Sequence, residues 1–176
     1  MSSKILVAYA SRTGTTAGVA EVIGQVLAAD GTAVDVRPVA EVNNLSPYSA
    51  IVVGSAIQGA EWLPEAMQFI RDHQRELAAR PFAAFLVCMT LAMPNKDYHE
   101  EVAKWLQPVR DLVEPVSMGL FAGALDISKV PTFRARLNFR ISVRLGVWSE
   151  GDHRNWEDIR AWAEELRPLL AAEVGS

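Results

Sequence analysis

The amino-acid sequence predicts an α/β fold, a parallel sheet covered by helices on both faces, and three observations carry that expectation. Five apolar runs read as strands, at Lys4 to Ala10, Ala33 to Pro38, Ala50 to Gly54, Phe82 to Met89 and Val116 to Ala122. Strands that are apolar throughout need cover on both sides, which is the environment of a parallel sheet. Segments of helical period stand between the runs, the pattern of strand-helix-strand crossovers. The first run passes directly into a hydroxyl-rich glycine turn at the start of a helix, Ser11-Arg12-Thr13-Gly14-Thr15-Thr16.

Each helix is read from its apolar face. Thr15 to Ala29 carries Val19, Val22, Ile23, Val26 and Leu27 on one side, and Leu63 to Ala79 carries Met67, Phe69, Ile70 and Leu77. Tyr98 to Leu112 places Val102, Trp105, Leu106 and Val109 together. The last helix starts at Asn155, a good N-cap, with Glu157 and Asp158 in its first turn and Ile159, Trp162 and Leu166 on its buried face. No internal repeat, low-complexity tract or interdomain linker interrupts the chain. The 176 residues therefore read as a single domain, 1–176, with a basic insertion at about 127–150 between the fifth strand and the last helix.

Bulk properties narrow the function classes. A net charge of -4 and a pI near 5.4 argue against nucleic-acid binding, which calls for a basic footprint. No apolar run approaches the roughly 18 residues needed to span a bilayer, and Met1-Ser-Ser-Lys4 leads into a strand rather than a signal peptide, so a cytoplasmic location is expected. Cys88 is the single cysteine, which excludes an internal disulfide, and its neighbours Phe85-Leu-Val-Cys-Met89 mark it as a small buried hydrophobe. His73, His99 and His153 have no metal-ligand spacing, and no metal site is expected.

The turn after the first strand has the chemistry of a phosphate site. Ser11, Thr13, Thr15 and Thr16 offer hydroxyls, Gly14 permits a tight backbone, and the amides opening the helix face an anion with the favourable end of the dipole. The strings Gly-Lys-Ser/Thr and Gly-x-Gly-x-x-Gly, which would indicate a nucleoside triphosphate or a dinucleotide, are absent. In open α/β sheets a ligand lies beyond the carboxyl ends of the strands. Two further loops meet that condition, Ser55 to Trp62 and Thr90 to Asp97. Their residues Ser55, Ala56, Ile57, Gln58, Gly59 and Trp62, and Thr90, Leu91, Ala92 and Met93, are neutral or apolar and suit a flat uncharged ring. Flavin mononucleotide, FMN, divides in that way into phosphate tail and planar ring. Trp62 and Tyr98 are candidates to stack on the ring, Trp105, Trp156 and Trp162 sit at core spacing, and Trp148 closes the basic segment.

These residues resemble the flavodoxin superfamily, which implies a flavodoxin-like, doubly wound five-stranded parallel sheet of order 2-1-3-4-5 with FMN at its edge. The likeness is greatest to the branch of flavodoxin-like menaquinone-dependent protoporphyrinogen IX dehydrogenases. Four motifs in order carry it: Ser11-Arg12-Thr13-Gly14-Thr15-Thr16, Gly54-Ser55-Ala56-Ile57, Ala122-Gly123-Ala124-Leu125 and Trp156-Glu157. Arg12 separates this branch from ordinary flavodoxins, and the third motif adds Gly123 and Ala124 to the cofactor-binding residues that the resemblance implies. The chain departs from the branch after the third strand, where Gln58-Gly59-Ala60 replaces Arg-Tyr-Gly, and in the neutral loop Leu91-Ala92-Met93-Pro94-Asn95.

From Lys129 to Arg144 the chain has five cations, Lys129, Arg134, Arg136, Arg140 and Arg144, and no acid. If helical, with Pro131 near the start, the segment repeats Arg136, Arg140 and Arg144 along one stripe beside Leu137 and Ile141. Such a surface suits substrate carboxylates, a partner subunit in a homo-oligomer, or peripheral contact with the inner face of the cell membrane. The expected function is an FMN-dependent oxidoreductase passing electrons from protoporphyrinogen IX or a similar reductant to a quinone, with the chemistry at the flavin and no catalytic side chain. A flavodoxin-type electron carrier and a flavin-free interaction protein are the rival readings. With few acids near the ring, only Glu61 and Asp97, a less strongly reducing flavin than that of an acid-rimmed carrier is expected.

Overall fold

The computed structural model describes residues 4–93, 96–125, 128, 132–145 and 150–171. Strands β1 (Lys4–Ala10), β2 (Ala33–Pro38), β3 (Ala50–Gln58), β5 (Phe82–Cys88) and β6 (Met118–Ala122) form a parallel sheet in the order β2-β1-β3-β5-β6. A two-residue strand, β4 (Glu61–Trp62), folds back antiparallel on β3. With β4 set aside, the order is the expected 2-1-3-4-5. Val7 pairs with Val52, Val53 with Ala84 and Leu86 with Leu120, so the strand carboxyl ends all reach the same edge.

Alternate residues of these strands feed two cores, as a period of two requires. Leu6, Ala8, Ile51, Val53, Ala84 and Leu86 join Met67, Phe69 and Ile70 of α2 (Pro64–Asp72), Leu77 of α3 (Gln74–Ala78), Val102 of α4 (His99–Ala103) and Val109 of α5 (Gln107–Leu112). Ile5, Val7, Val52, Ala83, Phe85 and Val87 join Val19, Ile23 and Leu27 of α1 (Thr15–Ala28) and Ile159, Trp162 and Leu166 of α7 (Trp156–Ala171). In the second core, Phe85, Phe121 and Trp162 pack with ring centroids 5.6 to 6.2 Å apart. Their tilted and edge-on arrangement suits the ring quadrupoles, and the Trp162 indole donates to Ser117 Oγ at 2.9 Å.

Several boundaries differ from those expected, each for a local reason. β3 runs on through Ser55, Ala56, Ile57 and Gln58, which the sequence predicts as part of a loop. The extension exists because Gly59 and Ala60 both take positive φ, 59° and 64°, and turn the chain so that Glu61 and Trp62 pair back on Gln58 and Ile57. The expected helix over Leu63 to Ala79 divides at His73, whose φ of -111° ends α2. The expected helix over Tyr98 to Leu112 divides at a 3-10 turn, Lys104–Leu106. Pro108 is the cause, since it has no N–H to donate to Lys104 and its ring crowds that carbonyl.

After Gly123 the chain leaves the sheet as β7 (Ala124–Leu125) and returns as β8 (Gly151–Asp152), which pairs antiparallel with β7. Between them lies α6 (Phe133–Arg144). It is capped by Thr132, whose Oγ1 accepts from the Ala135 N–H at 3.2 Å. The basic segment is thus helical over that range; Lys129, Pro131 and Trp148 lie outside the described residues, as do Pro94 and Asn95.

Gly54 is where the sheet and the aromatic cluster meet most closely, because the Phe85 ring occupies the place of a side chain there. Gly54→Ala is expected to destabilise the protein by about 1–3 kcal/mol through overpacking. In urea titrations Gly54→Ala/Phe85→Leu should lose less than the sum of the two single changes, because the smaller side chain vacates the methyl's space.

Candidate functional site

A cavity of about 370 Å³ opens at the carboxyl ends of the strands. The loop after β1 supplies Ser11, Arg12, Thr13, Thr15 and Thr16, β3 supplies Ala56, Ile57 and Gln58, and the end of β5 supplies Val87, Cys88 and Met89. Gly123, Ala124 and Leu125 line the side next to β6, and Phe139 of α6 reaches in from above the sheet edge. Parallel pairing explains the convergence, since adjacent strands running the same way end side by side.

The turn beneath α1 is built around Gly14, at φ 86°. Ser11 Oγ accepts from the Gly14 amide at 3.0 Å and fixes the turn, and Thr13 Oγ1 lies 3.3 Å from Thr15 Oγ1. No side chain caps α1 and no acid stands in its first turn. The positive end of a 14-residue helix therefore faces the cavity uncompensated. Thr16 is 1% exposed, and its Oγ1 has no partner among the described residues. A buried hydroxyl without a partner is costly, and one beside open helix amides fits an anion bound there.

Two braces hold this turn, and the sequence reading anticipates neither. Arg154 forks onto Asp152, with Nε to Oδ1 and Nη2 to Oδ2 both at 2.8 Å, and its Nη1 donates to the Thr15 carbonyl at 3.3 Å. The guanidinium carbon lies 4.6 Å from the centre of the Trp156 ring. Gly18 makes the approach possible, because a Cβ there would stand 2.6 Å from Arg154 Nη1. The signal available beforehand was only the pair Asp152 and Arg154 ahead of the last helix, 139 residues from Thr15 along the chain.

The second brace is Arg12. The resemblance counts it among the cofactor-binding residues, and it does line the cavity, but its guanidinium is committed to Glu65 at the start of α2. The hydrogen bond from Arg12 holds the Glu65 carboxyl below its ordinary value of 4.5, against the upward pull of burial.

Gly123 forms the opposite wall. Its amide donates to the Cys88 carbonyl and its carbonyl accepts from the His153 amide, both at 3.1 Å, and a Cβ would press on Val87 Cγ1 at 3.3 Å. Cys88 is 4% exposed, and burial pushes its thiol up to about 11. It therefore stays neutral at neutral pH and acts as apolar wall.

Other candidates lie off the cavity. Ser55 is fully buried; its hydroxyl donates to the Ala56 carbonyl at 2.7 Å and accepts from the Leu63 amide at 3.0 Å, clipping β3 to the start of α2. Gly59 sits exposed at the hairpin tip. Trp62 is 5% exposed, pairs with Ile57 and packs in the core rather than on the cavity wall. Thr90, Leu91, Ala92 and Met93 form a half-buried 3-10 turn that lays Leu91 on the core, and Met89 takes their place on the wall. Tyr98 also packs on that core, with Lys96 Nζ 4.8 Å over its ring. Arg134, Arg140 and Arg144 are exposed on α6 and Arg136 is half-buried. Val87, Cys88, Met89, Leu125 and Phe139 join the wall without having been expected there.

A family model described as Flavodoxin domain matches residues 6–153. The chain belongs to the flavodoxin family. Its fold is shared with Streptococcus pneumonia TIGR4 flavodoxin, at TM-score 0.61 and 17% identity over 94% of this chain and 99% of that one. It is likewise shared with a cysteine-to-serine mutant of flavodoxin from Pseudomonas aeruginosa, at TM-score 0.58 and 18% identity over 96% and 99%. A curated relative, protoporphyrinogen IX dehydrogenase [quinone] of Leishmania major, is 27% identical over 182 residues, 97% of this chain and 78% of that protein. As a flavodoxin-family member the chain binds FMN. The open N-terminus of α1, the unpartnered Thr16 hydroxyl and the apolar wall fit its phosphate and its ring.

The Glu65 carboxylate, favoured in the folded state, contributes stability above pH about 4.5 that is lost as pH falls through its lowered folded value. The pair is partly exposed and screened, so the contribution is about 0–1 kcal/mol. Glu65→Gln should be less stable than wild type at neutral pH, with the gap closing in urea titrations carried below pH about 4.

Proposed function

We propose that this chain is an FMN-dependent dehydrogenase of a reduced organic substrate of the protoporphyrinogen IX kind, with a quinone as electron acceptor. The observation that carries the reading is the nearly end-to-end likeness to a protoporphyrinogen IX dehydrogenase [quinone], covering 97% of this chain. The more general statement, an FMN oxidoreductase of flavodoxin fold, rests on the family match.

When bound, FMN supplies the hydride or electron transfer, and the protein supplies position and electrostatics. In this reading the α1 amides and Thr16 Oγ1 take the phosphate, with Ser11 and Gly14 holding the turn open. Arg154 and Arg12 keep that turn rigid from two sides, which places the ring reproducibly. Ala56, Ile57, Val87, Gly123 and Leu125 offer the ring a dry surface, and Phe139 closes it from the side of α6. Among the described residues no carboxylate lines the cavity, so negative charge gained on reduction meets no acid there. The neutral Cys88 thiol adds no charge.

Flavodoxins of this fold also include proteins named only as flavodoxins, so an electron carrier is the competing outcome. Anaerobic protoporphyrinogen IX is expected to be oxidised on addition of a soluble menaquinone analogue, at a rate proportional to FMN-loaded protein. Turnover only with a flavodoxin reductase and an acceptor protein would instead assign a carrier.

Thr16→Val tests the phosphate assignment separately. Loss of a hydroxyl bonded to a charged group costs about 1.5–3 kcal/mol, so the Kd for FMN should rise roughly 10- to 100-fold by fluorescence quenching. The stability of the FMN-free protein should not fall, because that hydroxyl has no partner there among the described residues.

A further inference from the structure

We propose that α6 is an interfacial helix by which the protein docks on an anionic phospholipid surface, its outer face in the headgroup region and its inner face over the cavity. The proposal does not depend on the substrate, and it stands or falls apart from the protoporphyrinogen reading.

The outer face is apolar where a surface helix is ordinarily polar. Phe133, Leu137, Ile141 and Leu145 recur every four residues and are 70%, 46%, 48% and 74% exposed. Residues at that spacing share one side of a helix. The described helix carries four arginines, Arg134, Arg136, Arg140 and Arg144, and no acid. At 100° per residue, Arg136 and Arg140 fall on one flank of the stripe, and Arg134 and Arg144 fall within it. Leu137, Ile141, Arg140 and Arg144 also border a groove of about 410 Å³ next to Glu150.

That arrangement matches a lipid surface in both of its parts. Apolar side chains enter the acyl boundary while arginine stems lie along it and raise their heads to the phosphates. The remainder of the chain is acidic enough to bring the net charge to -4 despite these arginines. An anionic surface therefore repels the rest of the molecule and attracts this helix, which sets the orientation. The opposite side of the same helix delivers Phe139 to the cavity wall, so docking sets the leaflet one helix width, about 10 Å, from the cavity. Each arginine near such a surface contributes about five-fold to partition, equivalent to about 1 kcal/mol.

The test is co-sedimentation of the full-length, FMN-loaded protein with vesicles of phosphatidylcholine alone or mixed with phosphatidylglycerol, at low and high salt. The protein is expected to partition onto the mixed vesicles only, and less at high salt. Arg140→Gln/Arg144→Gln should lower partition roughly 25-fold, five-fold per charge, and Leu137→Gln/Ile141→Gln should abolish it. Both variants should keep their flavin absorbance, which reports an intact fold. Absence of partition onto the mixed vesicles overturns the proposal, as does partition that Leu137→Gln/Ile141→Gln leaves unchanged. Sedimentation velocity showing a dimer that this variant dissociates, without vesicle binding, assigns the face to a second copy. Binding to polyglutamate without vesicle binding assigns it to an acidic partner. Either result also overturns the proposal.

Discussion

Parallel pairing of β1, β3, β5 and β6 is the constraint on which the rest of the molecule depends. Because these strands are buried on both faces, each must return to the start of the next by a covered crossover, and every carboxyl end arrives at one edge. The cavity exists because of that arrival. Apart from Phe139, its walls come from four places distant in sequence, which strand pairing brings side by side, and Gly123 is tied by its own amide to Cys88.

At that edge the protein leaves one feature uncompensated and supports it from outside. The N-terminus of α1 has no capping side chain, no acid in its first turn and a buried hydroxyl without a partner among the described residues, which is a combination unfavourable in isolation. Binding groups are left open only where the surroundings keep them from rearranging. Arg154 does so by holding the Thr15 carbonyl while stacked on Trp156 and forked onto Asp152. Arg12, within the turn, does so through its ion pair with Glu65 at the start of α2. Preorganisation of this kind shifts cost from the moment of binding to folding.

The segment between β7 and β8 contributes to the same edge. α6 is anchored at both ends by the short ribbon that pairs Ala124 with Asp152 and Leu125 with Gly151. It presents Phe139 to the cavity and its large apolar residues to solvent. Asp152 belongs both to this ribbon and to the Arg154 brace, so the insertion and the phosphate turn are mechanically joined.

The order of strands and helices along the chain and the hydroxyl-rich turn at Ser11 to Thr16 were legible in the sequence, whereas a helix was only one conformation that the spacing of the basic segment allowed. These are local properties: apolar period, glycine tolerance and hydroxyl supply act within a few residues of themselves. What only the tertiary structure decided is where side chains went once strands had partners. Trp62 paired with Ile57 and packed in the core, Thr90 to Ala92 wound into a 3-10 turn, Glu65 paired with Arg12, and Arg154 crossed 139 residues of sequence to reach Thr15. Pattern records which residues are apolar or can turn, but a contact between distant segments depends on register and crossing geometry, and those are set only when the sheet has assembled.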